Sequence, residues 1–331
     1  MKVGISSPIT ISKFVNYLCL EYHNRAVEIE GLKASAVDAL VLGLLQKGHS
    51  VSIYTLSERV NNMEILKGER LTIFVNPLIN RKWWRIFGVF TYKAIQIKNC
   101  IEADNIKLDL IHAHWTYEYA IGTIWGNKHI PVFVTVRDWI PAILRYKNFG
   151  YYYIIRYFLD FYVFSHKNIN FIANSQYLSS LIKQRWKIEA NIIPNAVSNS
   201  YIATTTITKQ HKIFNIISIS TTIDKRKNIE SLIYAFSKFN ALHENSTLVL
   251  VGNDFIESHP KVKKWKSDKL LKNVLLKGYI KHNDLIDILD NSDLLVHPSL
   301  EESFGNTLIE AMARKIPVIA GKNSGAVPFV L

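Results

Sequence analysis

The chain has 331 residues, too many for one ordinary domain and about right for two. Hydrophobic residues make up 48% and charged residues 20%, a balance that excludes disorder as the main state. The net charge of +13 favours an anionic partner: lipid headgroups, nucleic acid or a phosphorylated small molecule. Two cysteines, Cys19 and Cys100, build neither a disulfide framework nor a multi-cysteine zinc module. The start, Met1 to Ser6, carries no basic stretch before an apolar core, so no signal peptide and a cytoplasmic location are expected. No run reaches the roughly 18 uncharged apolar residues of a spanning helix. The closest, from Phe149 to Phe164, is interrupted by Arg156 and Asp160.

Short β-branched runs alternate with helical patterns, which predicts parallel α/β architecture. Strands are expected at Lys2 to Ser6, Ser50 to Leu56, Leu71 to Val75, Leu108 to Ala113, Val132 to Val136, Asn170 to Ala173 and Asn191 to Ile193. A helix from Ala36 to Lys47 stops at Gly48, and another starts near Tyr177. Residues 198–212 lose the pattern and read as a linker. Alternation restarts with strands at Phe214 to Ser220, Thr247 to Val251, Val274 to Lys277, Leu294 to His297 and Val318 to Ala320. Helices are expected at Asn228 to Ala241, Asn283 to Leu289 and Gly305 to Ala313. Two doubly wound domains follow, 1–197 and 213–331, with a ligand cleft between them beyond the strands' carboxyl ends.

Four segments carry chemistry. In the first, Glu301-Glu302-Ser303-Phe304-Gly305-Asn306-Thr307 enters a helix that carries Glu310. Ser303 is the expected N-cap, and the Phe304 to Thr307 amides would face an anion such as a diphosphate. Glu302 and Glu310 are either acceptors for sugar or ribose hydroxyls, or a solvated loop acid and an ordinary helix glutamate. In the second, Asp224-Lys225-Arg226-Lys227-Asn228 follows a strand and opens a helix: a phosphate site or a solvated basic turn. The third, Gly31-Leu32-Lys33-Ala34-Ser35, precedes the first long helix. The fourth combines His112, His114 and Trp115 with Arg137-Asp138 at the ends of two strands. The histidines share a strand face but have no third ligand nearby, so packing is preferred to a metal and none is expected. Arg137 stays protonated and cannot act as a base. It orients a carboxylate, phosphate or sugar hydroxyl, or pairs with Asp138.

The glutamate–seven residues–glutamate spacing of Glu302 and Glu310 resembles the retaining GT-B glycosyltransferases, in particular glycosyltransferase family 4. So do Asp293 to Ser299 before it, Ala313 to Ile319 after it, Lys227-Asn228 with Leu232 to Phe236, Gly48 to Thr55, Pro194-Asn195-Ala196-Val197, Gly252-Asn253-Asp254 and Lys277-Gly278-Tyr279. The likeness runs from Met1 to Leu331. It implies a GT-B fold and a metal-independent, retaining transfer from a nucleotide-diphosphate sugar, UDP- or GDP-linked, to a hydroxyl of a glycan or lipid-linked glycan. Cell-surface polysaccharide or lipopolysaccharide synthesis is the expected setting. It implies that Glu310 holds the ribose, Glu302 contacts the donor sugar, Lys227 binds the diphosphate and Arg137 lies near the donor sugar. Gly278 and Tyr279 would face the base, with Gly252, Gly31 and Thr221 on the same ligand. The chain departs from the pattern at three positions. Thr221 stands where many members have arginine, so Lys225 or Arg226 would supply that charge. Leu32 replaces a second glycine, and Phe329 replaces a glutamate. Members usually continue for some tens of residues beyond this end, so the second domain is expected to be truncated, short of an edge element.

The stretch from Ser7 to Gly31 is longer than that family's loop and is expected at the acceptor site. Arg81-Lys82-Trp83-Trp84-Arg85-Ile86-Phe87, and Tyr151-Tyr152-Tyr153 with Arg145 and Lys147, suit either an anionic membrane surface or a helix whose apolar side faces a core. Two rival classes are a non-catalytic sugar-nucleotide-binding or membrane-associated relative and a basic nucleic-acid-binding protein. No nucleic-acid module is found, so no nucleic acid is expected as a partner.

Overall fold

A computed structural model describes residues 1–78, 89–127, 129–146, 150–203, 213–281 and 284–331. The stretch Arg81 to Phe87, residues 204–212 of the expected linker, Lys147 and Asn283 lie outside the described residues. The chain divides into two compact units: Met1–Pro141 with Phe149–Ser198, and Ala142–Asn148 with Asn199–Leu331.

The first unit holds β1 (Lys2–Ser6), β2 (Ser50–Ser57), β3 (Glu64–Lys67), β4 (Leu71–Pro77), β5 (Leu110–His114), β6 (Val132–Val136), β7 (Ile169–Ala173) and β8 (Asn191–Ile192). They form one sheet in the order β3-β4-β2-β1-β5-β6-β7-β8. Every pairing is parallel except β3 with β4. Strands covered on both faces read as apolar runs, as β6 does (Val-Phe-Val-Thr-Val), and β2 is buried without a break from Val51 through Ser57. The chain order reverses between β1 and β5, the switch point of a doubly wound sheet. Strand β3 was not legible as a strand. It is a four-residue edge with Glu64 and Lys67 at its ends, the short, charged form that blunts an exposed edge.

The excursion after β1 is folded rather than open. It forms a 3-10 turn (Ile11–Tyr17) and a helix (His23–Ile29). Ile9, Ile11, Phe14, Ala26 and Ile29 join the same apolar core as Val37, Val41 and Leu45 of the helix Ser35–Gln46. Asp38, buried in that helix's first turn, ties the excursion down. Its carboxylate accepts the Thr10 amide (2.9 Å) and pairs with Lys13 Nζ (3.1 Å).

The second unit holds β9 (Phe214–Ile219), β10 (Ser246–Val251), β11 (Val274–Gly278), β12 (Leu294–His297) and β13 (Val318–Ala320). They form a parallel sheet in the order β11-β10-β9-β12-β13, with its switch point between β9 and β12. The helix Ile229–Leu242 packs Ile233 and Phe236 onto Ile216, Leu248 and Leu250. A helix absent from the sequence expectation, Pro260–Ser267, has only Val262 and Trp265 buried. Two apolar positions among four lysines leave too little periodicity to detect. Proline at its first position and a His259 ring that accepts the Lys261 amide (3.2 Å) fix its start. No helix among the described residues is long and apolar enough to cross a membrane.

Candidate functional site

Parallel sheets collect their polar loops at the carboxyl ends of the strands. In the second unit, Thr221 follows β9, Gly252 follows β10, Gly278 ends β11 and Glu302 lies in the loop after β12. Five of the residues singled out in the sequence thus come to one sheet edge, since Lys227 shares the β9 loop. Backbone bonds lock the edge together. Ser220 N–H donates to Val251 O (2.9 Å), and Gly252 N–H donates to Gly278 O (2.8 Å). A Cβ at Gly252, whose φ is +146°, would stand 1.7 Å from Ser220 O, so glycine is required there by backbone approach. Gly278 also has positive φ (+59°), but a Cβ there would meet nothing closer than Ile256 at 3.6 Å. Tyr279 beside it is half-exposed.

The two switch-point loops are tied by charge. Asp224 accepts the Lys227 amide (2.9 Å), closing the turn that precedes the helix Ile229–Leu242. Asn228 then sits in the left-handed region (φ 52°) and donates its side-chain amide to Pro298 O (3.2 Å). Lys227 Nζ donates to Glu302 Oε1, and His297 Nε2 lies 3.0 Å from the same oxygen. His297 Nδ1 is 3.4 Å from the Thr307 hydroxyl. With its proton on Nε2, the ring donates to Glu302 and accepts from Thr307. Burial would raise the Glu302 carboxyl, but Lys227 and His297 overcome it and hold Glu302 well below the usual carboxylate range. Its neighbour behaves in the opposite way. Burial pushes the Glu301 carboxyl up, against the pull of Arg226, which donates to Glu301 O (3.2 Å) and Oε2 (3.4 Å). Glu301 Oε1 has no hydrogen-bond partner among the described residues.

Ser303 is not the N-cap. The helix runs Asn306–Ala313, and Gly305, with φ 95°, holds the cap position with no side chain bonded across it. A Cβ on Gly305 would stand 2.8 Å from Leu308 Cδ1. Phe304 is buried beneath this turn. The end of the helix is thus a backbone-lined start beside Lys227 and Glu302, suited to an anion. Glu310, one turn on, is buried and close enough to Tyr201 to help burial raise that phenol. Thr221 is exposed. Of the two residues expected to replace a charge at Thr221, Arg226 is committed to Glu301, while Lys225 is exposed.

The first unit places its polar group at the ends of β5 and β6. Arg137 Nε lies 3.2 Å from His114 Nδ1, and NH1 donates to Asn195 Oδ1 (2.8 Å). The alternative for Arg137, a pair with Asp138, does not form, because Asp138 binds Arg156 instead (2.7 Å). Among the described residues no carboxylate pairs with Arg137. Burial lowers its guanidinium to about 10, and burial likewise lowers the His112 imidazole to about 3. The His112 and His114 rings lie 4.2 Å apart, and His112 Nε2 meets the Thr135 hydroxyl at 2.7 Å. No group of three metal-ligating side chains occurs among the described residues. A cavity of about 290 Å³ opens here, lined by Ala36, Leu40, His112, His114, Arg137 and Asn195 among others. Gly31 lies apart from this cavity's lining. It bridges Thr10, and a Cβ there would stand 2.3 Å from Ile9 O, so its glycine answers to local packing.

Sequence reasoning did not assign roles to His297 or Glu301. His297 was legible as a strand terminus five residues before Glu302, and a histidine there could have been suspected of reaching the loop acid. Glu301 gave no separate signal, because two adjacent acids read as one solvated loop.

The family model described as Glycosyltransferase Family 4 matches residues 34–201, and that described as Glycosyl transferases group 1 matches residues 204–330. Sucrose-phosphate synthase 4 of Arabidopsis thaliana is 36% identical over 126 residues, which cover 32% of this chain and 12% of that protein. The capsular polysaccharide biosynthesis glycosyltransferase CapM of Staphylococcus aureus is 34% identical over 131 residues, 37% of this chain and 33% of that one. The matched segments therefore span a third or less of these relatives. The solved sucrose-phosphate synthase of Thermosynechococcus elongatus superposes with a TM-score of 0.71 at 16% identity, over 100% of this chain and 84% of that one. Two parallel sheets wound in this order, joined to these matches, make the fold GT-B, and the chain belongs to glycosyltransferase family 4.

Proposed function

We propose that the protein transfers a sugar from a nucleotide-diphosphate donor to a hydroxyl of a glycan or lipid-linked glycan, with retention of anomeric configuration. One observation carries this reading: Lys227, Glu302, His297 and the uncapped start of the helix Asn306–Ala313 converge at the switch point of the second sheet. An anion-binding helix start beside a lysine suits a diphosphate whose charge grows as the sugar leaves. The Phe304, Gly305, Asn306 and Thr307 amides would meet that charge together with Lys227. Glu302, held ionised, would accept hydrogen bonds from donor-sugar hydroxyls, and Glu310 from the ribose. Gly252, Gly278, Tyr279 and Thr221 would line the nucleotide. Each is a binding or positioning role. Arg137 would orient an anionic or hydroxylated part of a substrate in the first unit.

The chemistry breaks the bond between the anomeric carbon and the diphosphate oxygen and forms one to the acceptor oxygen. Attack from the face of departure leaves the acceptor proton beside the diphosphate oxygen that receives it. No carboxylate nucleophile is required. The donor is read as UDP- or GDP-linked, used without a metal, and the setting as cytoplasmic synthesis of a cell-surface polysaccharide or lipopolysaccharide. The capsular relative supports that setting.

A thermal-shift series with UDP, GDP and ADP tests the donor site. A nucleotide at about 100 times its dissociation constant stabilises by about 2.7 kcal/mol, a shift of several degrees. The shift is expected with one nucleotide and is expected to vanish in Glu310→Ala. No shift with any of the three would reject the donor site. Release of that nucleotide from its sugar conjugate, dependent on an added glycan acceptor, would establish transfer.

A further inference from the structure

The helix Tyr151–Phe164 turns both of its charged residues, Arg156 and Asp160, inward, where they are buried beside Val163 and Phe164. Arg156 pairs with Asp138 (2.7 Å) and lies 4.1 Å over the Tyr117 ring. Asp160 accepts the Thr116 hydroxyl (2.5 Å). The opposite face carries Tyr151, Ile154, Phe158 and Phe161, which are 53%, 43%, 65% and 51% exposed. Their spacing puts them in one stripe along the helix. A contiguous apolar stripe of this kind on a soluble surface marks a site of interaction.

The surroundings identify the partner. The stripe is flanked by amphipathic rings whose polar ends are hydrogen-bonded. Trp125 Nε1 donates to Tyr162 Oη (2.9 Å), and both side chains are 36% exposed. Tyr157 Oη accepts from Arg185 (2.7 Å), and Phe161 meets the Trp186 ring at 5.3 Å. Between Gly150 and Ile188 the exposed charged residues are Lys167, Lys183, Arg185 and Lys187, all positive. The next acid, Glu189, is held by Lys183 at 2.6 Å. Aromatic rings with polar tips, an apolar stripe and cations of one sign match the boundary between acyl chains and anionic headgroups. A helix of 14 residues is about 21 Å long, too short to cross a hydrocarbon layer of about 30 Å but able to lie in its surface.

We infer that the Tyr151–Phe164 face docks the protein onto an anionic lipid bilayer, with the aromatic stripe at the headgroup boundary and Lys167, Arg185 and Lys187 on the lipid phosphates. This surface is separate from the residues assigned to nucleotide binding, so it stands or falls independently of them. Sedimentation of the full chain with phosphatidylcholine vesicles, with and without roughly a third phosphatidylglycerol, tests it. The protein is expected to pellet with the anionic vesicles and to stay in solution with the zwitterionic ones. Phe158→Ser with Phe161→Ser should weaken binding at least about tenfold, because both exposed rings that would enter the bilayer are lost. Arg185→Ala with Lys187→Ala should weaken it by about tenfold and flatten its salt dependence. Unchanged melting temperatures would show that the variants fold. If the double aromatic variant does not fold, Phe158→Ser alone is read on the same vesicles, with a loss of several-fold expected. Failure of the wild type to pellet with anionic vesicles would overturn the inference. So would aromatic variants that bind as well as the wild type. A concentration-dependent dimer abolished by Phe158→Ser would overturn it too, and would assign the face to a second copy of the chain.

Discussion

In the second unit the acids at the switch point are met by cations: Glu302 by Lys227 and His297, Glu301 by Arg226. In the first unit the cation at the corresponding sheet edge, Arg137, rests on a histidine ring nitrogen and an amide oxygen. The two sheets share a winding and collect polar residues at the same end, so the difference is one of electrostatics rather than architecture. A phosphate reaching the second unit must share Lys227 with Glu302. An anion reaching Arg137 would meet a guanidinium with no competing carboxylate among the described residues.

The largest test of this contrast is Lys227→Met. Removing one partner of a buried pair strands the other charge, which costs about 4 kcal/mol. Urea denaturation should show that loss, and Glu302→Gln in the same background should restore part of it. If the single variant is as stable as the wild type, the two loops are not held by this pair.

A second test uses pH, because Asp160 of the first unit and Glu302 of the second are displaced in opposite directions. Asp160, raised to about 8 by burial, keeps its proton in the folded state long after the unfolded chain has lost it. Its contribution is therefore fully present below about pH 4 and lost as pH rises through about 8. Comparing wild type with Asp160→Asn should isolate a decline of about 6 kcal/mol over that window. Glu302 has the reverse sign. Its folded value is depressed, so its contribution is present above the ordinary carboxylate range and lost as pH falls below it. Glu302→Gln should remove that acid-side loss. A common slope in both variants would contradict the opposite displacement of the two acids.

Glycine substitutions give a smaller and more local comparison. Gly252→Ala forces a Cβ into Ser220 O and should cost about 2 kcal/mol or more, whereas Gly278→Ala makes only an ordinary contact with Ile256 and carries the left-handed backbone penalty of about 1 kcal/mol. Equal melting temperatures would contradict the close approach at Gly252. The smallest effect is expected at Lys225. Lys225→Ala should leave stability within about 0.5 kcal/mol. It should weaken nucleotide binding by about two- to five-fold, in a salt-dependent way, if its exposed ammonium replaces the charge absent at Thr221.

The sheets were readable in the sequence because buried parallel strands are rich in β-branched and apolar residues, as β6 and β10 are. What escaped had little apolar content of its own. The edge strand β3 is half charged, and the helix Pro260–Ser267 shows only Val262 and Trp265 to the core. At the candidate site, Glu302, Lys227 and Glu310 stood out by spacing and by resemblance. Their partners did not, because His297 reaches Glu302 from a strand end and Arg226 reaches Glu301 across 75 positions of sequence. Pairings set by the winding of a sheet leave no periodic trace. The alternative pairing of Arg137 with Asp138 is absent for the same reason: the nearer acid in sequence is held by Arg156 from another helix.

The folded excursion after β1 changes what counts as a replaceable part of this protein. A stretch with Ile9, Phe14 and Ile29 fully enclosed, anchored through Thr10 and Lys13 to Asp38, cannot be trimmed or exchanged like a surface loop. Chimeras that swap it with a relative's loop must carry the helix Ser35–Gln46 along, so the smallest interchangeable module runs from Ser7 to Gln46.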